Sequence, residues 1–262
     1  MSYDLAIFEP EKAPKVYGEF LDWLSIQTQW NEDRDYNALA GTAPRLAAWF
    51  MEAKEQFPPL NGEHRLPDEE AFANAVTERR LTDYSIGSDI IYAAIGWSVA
   101  EEADKHMTRL AQAHGVGIYN PQTGEVQSSG MVLCKLRTER YDDKIAVWEH
   151  IEREVQSLDA PERGTSHRDN AFITLFFTGN GTDDEFMQCM PNYPKPQGVF
   201  KKLFGGGAAP AAIEGYTVES GNGKKIYEKQ VAGKAELEKI LSDYYKTRRL
   251  PDTSDWTDTN IL

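Results

Sequence analysis

The sequence predicts an α+β fold: two small domains, each a mixed or antiparallel sheet with helices packed on it. Three observations carry that prediction. Segments with a two-residue apolar period and segments with a helical period succeed one another as β-α-α-β-α-β-β up to Gly130, an order that suits helices laid on one face of a small sheet. A second succession of strands and helices follows. The length, 262 residues of which 40% are hydrophobic, is long for one core and comfortable for two of about 130 residues each. The expected domains are 1–130 and 131–262, with the polar loop 159–170 as the rival boundary.

In the first half, YDLAIFE (3–9) alternates as a strand and Pro10 stops it. Helical spacing of Val16, Phe20, Trp23, Leu24 and Ile26 or Gln27 predicts a helix between Lys12 and Trp30. NEDRDYN (31–37) reads as an acidic turn. Thr42 as N-cap and Pro44 just inside it open a second helix, ending at Pro58 and Pro59. Residues 58–82 read as a long loop with one helical turn. SDIIYAAIGW (88–97) is apolar nearly throughout, as a strand covered on both faces is. A helix follows, with Ser98 and Glu101 as a capping box and Gly115 as its stop. GIYNPQTGEVQ then reads as two strands about a turn.

The second half opens with strand MVLCKLRT (131–138), then a helix over 142–158 with Ile145, Trp148, Ile151 and Val155 on one face. AFITLFFTGN and DEFMQCM form a hairpin, and residues 191–212 form a long connection clustered in proline and glycine. GYTVESGNGKKIYEKQV turns at Gly221–Asn222–Gly223. A last helix spans 232–249, and the tail LPDTSDWTDTNIL closes the chain.

Charge narrows the function classes. The net charge is −14, with −11 on residues 1–130 and −3 on 131–262. Such a surface repels nucleic-acid phosphates and anionic lipid, so neither nucleic acid nor membrane is expected as a partner. Solubility alone explains acidity; a basic protein partner explains it with a purpose. Cys134 and Cys189 lie apart in apolar strands, which suits reduced core residues of a cytoplasmic protein. No apolar run reaches the roughly 20 residues of a membrane span, and the first residues lack a basic leader.

Candidate sites are each weighed against a plainer reading. FTGNGTDDEF (177–186) places glycines about an asparagine before Asp183, Asp184 and Glu185. A phosphate loop needs a helix after its glycines, and a calcium loop needs alternating acids, so this stretch reads as a hairpin corner. The glycines 205–207 read as a linker. His64, His106, His114, His150 and His167 have no metal-binding spacing. His106 and His150 are expected to face solvent, and His114 to meet the end of its helix. His167 has Ser166 and Asp169 as neighbours, but catalytic triads are built in space rather than by adjacency. No catalytic, metal or cofactor residue is therefore expected. Two acidic-aromatic patches remain: Glu32, Asp33, Asp35 and Tyr36 in the turn, and Asp252, Asp255, Trp256 and Asp258 in the tail. Either could anchor a basic partner; the plainer readings are a solvated turn, and a tail that packs Trp256 and Ile261 on its own domain.

The opening SYDLAIFEP, the segment LTDYSIGSDIIYAAIGWS and the run from FITLFFTGNGTDDEFMQCMPNY to DYYKTRRLPDTSDWTDTNIL resemble bacterial immunity proteins of polymorphic toxins. Those include partners of effectors delivered by type VI or contact-dependent secretion. The resemblance is one of overall style across most of the chain and transfers no residue roles. It implies an acidic cytoplasmic α+β protein that neutralises a cognate basic toxin or effector domain by occluding it, without turnover. The competing expectations are a small hydrolase with a site between the domains, and a regulatory or scaffold binding protein.

Overall fold

The computed structural model describes residues 2–159, 171–179, 181–193 and 213–259. The chain divides into two compact units, Met1–Met131 and Val132–Leu262, each with its own sheet and buried apolar cluster. The fold is α+β, with two antiparallel sheets and helices packed on them.

The first unit runs β1 (Ser2–Phe8), α1 (Tyr17–Gln27), α2 (Pro44–Gln56), the short α3 (Asp68–Ala71) and α4 (Ala75–Arg80). Then come β2 (Asp83–Ile86), β3 (Ile90–Gly96), α5 (Ala100–His114), β4 (Gly117–Asn120) and β5 (Glu125–Gln127). The sheet order β2-β3-β1-β4-β5 puts the first strand in the middle. Alternation then divides its side chains between two faces. Tyr3, Leu5 and Ile7 join Leu46, Trp49 and Phe50 of α2 and Met107 and Leu110 of α5. On the opposite face Phe8 meets Phe20 and Trp23 of α1, at 4.8 and 6.2 Å between ring centres. Helices thus cover both faces, not the single face expected. The stripe Tyr17, Phe20 and Leu24 gives α1 an apolar surface that only the second face can bury.

Local signals shift in ways that sequence spacing does not reveal. Thr42 caps nothing: its hydroxyl donates to the Gly87 carbonyl at 3.0 Å, and Ala43 holds the cap position of α2. The expected capping box also fails, because a 3₁₀ turn over Trp97–Val99 precedes α5 and Glu101 pairs with Lys105 at 2.5 Å. Gly115 does stop α5 in the left-handed region, at φ 66°. The loop 58–82 holds two short helices rather than one turn. The second is capped by Asn74, whose Oδ1 accepts from the amides of Val76 and Thr77 at 3.0 Å each.

The second unit runs β6 (Leu133–Thr138), β7 (Lys144–Ile145), α6 (Trp148–Ser157), β8 (Ile173–Thr178) and β9 (Phe186–Asn192). It continues with β10 (Gly215–Gly221), β11 (Ile226–Val231), α7 (Lys234–Thr247) and β12 (Thr257–Asp258). Sheet order is β12-β11-β10-β9-β8-β6-β7. Leu136, Leu175, Met187 and Val218 of the strands pack with Ile151 and Val155 of α6 and Leu237 and Leu241 of α7. The helix expected from 142 begins only at Trp148, because Lys144 and Ile145 pair as an edge strand with Leu136 and Lys135. Ser166, His167, Asp169, the glycines 205–207 and Ile261 lie outside the described residues.

Candidate functional site

The turn after α1 is held much more tightly than an acidic loop of seven residues suggests. Glu32 accepts from the amide of Ser88 at 3.1 Å through each carboxylate oxygen, and also from the Ser88 hydroxyl. Burial works to raise its pKa, but the Ser88 bonds and the Arg34 guanidinium at 3.4 Å outweigh it and hold the carboxyl below its ordinary range. Arg34 also donates to the carbonyls of Ala38 and Ala40 at 3.1 and 2.9 Å and to the Thr42 hydroxyl at 2.9 Å. Tyr36 places its hydroxyl against the Glu32 backbone, accepting from the amide at 2.6 Å. Of the four residues expected here as contacts, Glu32 and Tyr36 are therefore structural staples, while Asp33 and Asp35 are exposed.

The tail does not supply a free acidic patch. β12 pairs with β11, and Trp256 packs half-buried against the second core, under the Lys229 ammonium 5.9 Å from its ring centre. Asp255 pairs with Lys229 at 3.0 Å and Asp258 with Lys225 at 3.3 Å. Asp252 accepts from the Ser254 amide at 3.0 Å. Each acid is exposed, yet two of the three already have a lysine, from β11 or the turn just before it. For Trp256, the plainer reading of the tail describes the packing.

What sequence reasoning missed is a groove on the α1 face of the first sheet. It encloses about 660 Å³ between Leu21, Leu24 and Ser25 of α1, Thr28 at its C-cap, the rings of Trp30, Tyr92 and Tyr119, and the small residues Ser85 and Ala94, with Pro121 at one side. Trp30 has φ 55°, a left-handed conformation rare for a bulky side chain. That turn folds its ring back between Tyr36 and Tyr92, at 5.2 and 6.4 Å between centres. The acidic turn and the groove are thus one structure. Burial, followed by the charge and hydrogen bond of Asp4, pushes the Tyr92 phenol up to about 12. The signal that could have found this site was the alternation itself: Tyr92 and Ala94 are the outward partners of Ile91, Ala93 and Ile95.

Other candidates resolve more simply. FTGNGTDDEF is the corner of the β8–β9 hairpin, turned by Gly179 and Gly181 at φ 85° and 80°, and the Glu185 amide donates to the Thr182 carbonyl at 2.8 Å. A groove of about 540 Å³ lies beside it, with Phe176 and Phe186 on the sheet and Arg137 over Phe176 at 5.6 Å. No three His, Cys, Asp or Glu among the described residues are grouped to hold a metal ion.

His106 and His150 do not face solvent as expected. Both are half-buried, against Phe57 and Tyr141 at 5.7 and 5.3 Å, and burial pushes both pKa values down. His114 meets Glu52 at 2.9 Å rather than the helix end. Cys134 and Cys189 are buried free thiols, each pushed up to about 12 by burial. No helix among the described residues is long and apolar enough to cross a membrane.

No family model matches the chain, and no curated protein or solved structure matches it either.

Proposed function

We propose that this protein acts by binding a basic polypeptide and occluding it, without turnover, as an immunity protein does for a cytotoxic effector. The observation that carries the reading is the aromatic-walled groove of the first unit, set in the half of the chain that holds −11 of the −14 charges. Aromatic anchors in a concave site supply binding energy, and a surrounding field of acids steers a basic partner and discourages an acidic one. Asp33 and Asp35 stand exposed on the turn that carries Trp30, where steering charge is most useful. The reading places the protein in the cytoplasm, the compartment in which two buried free thiols persist as thiols.

Co-expression tests it. A bacterial cell making a basic cytotoxic domain encoded beside this gene should be rescued by this chain. The purified pair should form a stoichiometric complex that weakens as salt is raised. Rescue without a physical complex, or a complex indifferent to salt, contradicts the reading.

A further inference from the structure

The groove's chemistry says what part of a basic partner it grips, an inference that rests on the binding reading above. Tyr92 and Tyr119 both pair with Ala6, from the strands on either side of β1. Their backbones therefore stand about two strand spacings apart, roughly 9.6 Å, and both rings line the groove, where a cation within roughly 6 Å of a ring is attracted. Ala6 itself is fully buried between them, and the groove opens beside it, over Ser85 and Ala94. Trp30 adds a third ring beside Tyr92, at 6.4 Å.

The next row of the sheet brings charge. Asp4 on β1 and Asp83 on β2 both pair with Ala94, one on each side. Asp4 and Asp83 thus set two carboxylates on either side of Ala94, which lines the groove. The charge of the Asp4 carboxylate acts on the Tyr92 hydroxyl.

We propose that this groove is the receptor for an arginine side chain of the partner, its guanidinium lying among Trp30, Tyr92 and Tyr119 with an N–H directed at Asp4. Arginine suits the site better than lysine. Its planar head stacks on rings while its edge donates several hydrogen bonds, and it sheds water more readily than an ammonium.

The test uses the full chain and two probes: an eight-residue peptide with four arginines spaced by glycines, and the same peptide with citrulline in place of arginine. Citrulline keeps the shape and removes the charge. Binding is followed by calorimetry and by the indole N–H resonance of Trp30, with circular dichroism to confirm that each variant is folded. The arginine peptide should move the Trp30 signal, and its affinity should exceed that of the citrulline peptide by about tenfold or more. Trp30→Ala and the isosteric Asp4→Asn should each weaken it by roughly three- to thirtyfold. Equal binding of the citrulline peptide overturns the cation site and leaves a groove for neutral chains. Arginine-peptide binding unchanged in both variants, with the Trp30 signal still, overturns the groove while the basic-partner reading stands. No binding of the arginine peptide at low salt defeats both.

Discussion

Gly117 shows how much one hydrogen can decide. It stands opposite Phe8 in the β1–β4 pair, and a Cβ built on it would lie 2.3 Å from atoms of a ring that is fully buried. The ring cannot retreat, because Phe20 and Trp23 hold its other side. Gly117→Ala should cost about 1–3 kcal/mol, as overpacking of a filled core does, read from the midpoint of urea unfolding; an unchanged midpoint would contradict the packing described. Glu32 makes a second prediction. Its folded pKa lies below its ordinary value of about 4.5, so its stabilising effect is present above that pH and is lost as pH falls through the folded value. The stability gap between the wild type and Glu32→Gln should hold steady from neutral pH down to about 5.5 and then close in more acidic solution. A gap that widens on acidification would reverse the sign. None of this was legible from NEDRDYN alone, because the staple depends on Ser88, which lies 56 residues away.

Strands and helices with long, regular periods were legible, and short ones were not. β1, β3, α2, α5 and the β8–β9 and β10–β11 hairpins stand close to where alternation and helical spacing placed them. β2 and β7 were missed because four and two residues carry too little period to read, and both exist only through a neighbouring strand. The second covered face of the first sheet was missed for a related reason. The stripe of α1 says that it packs, not on which side. In the tail, Trp256 was visible as an anchor, but its burial on the second core depends on β12 finding β11. Trp256→Ala should therefore destabilise the second unit by roughly 1–2 kcal/mol, less than the 3–5 of a fully buried tryptophan. Amide exchange should accelerate first across β11 and β12. Loss of partner binding with exchange left intact would instead make Trp256 a contact residue.

At the scale of the molecule, each unit has its own core, and the charge is uneven between the halves. Acidity and the lack of a catalytic motif were legible in the sequence, and they favoured binding over chemistry. The groove was not, because it is made by three strands, one helix and a turn that meet only in the folded sheet. If the first unit steers a basic partner, charge should govern the rate of encounter more than the rate of escape. The most direct measurement is the association rate constant of this chain with a basic domain identified by the co-expression test, over a series of salt concentrations. It should be taken for the wild type and for Asp33→Asn/Asp35→Asn. The account predicts that association slows by about tenfold or more from low to high salt while dissociation changes little. It also predicts that the double variant starts slower and shows a shallower salt dependence. An association rate that is flat with salt, and the same in both proteins, would contradict it.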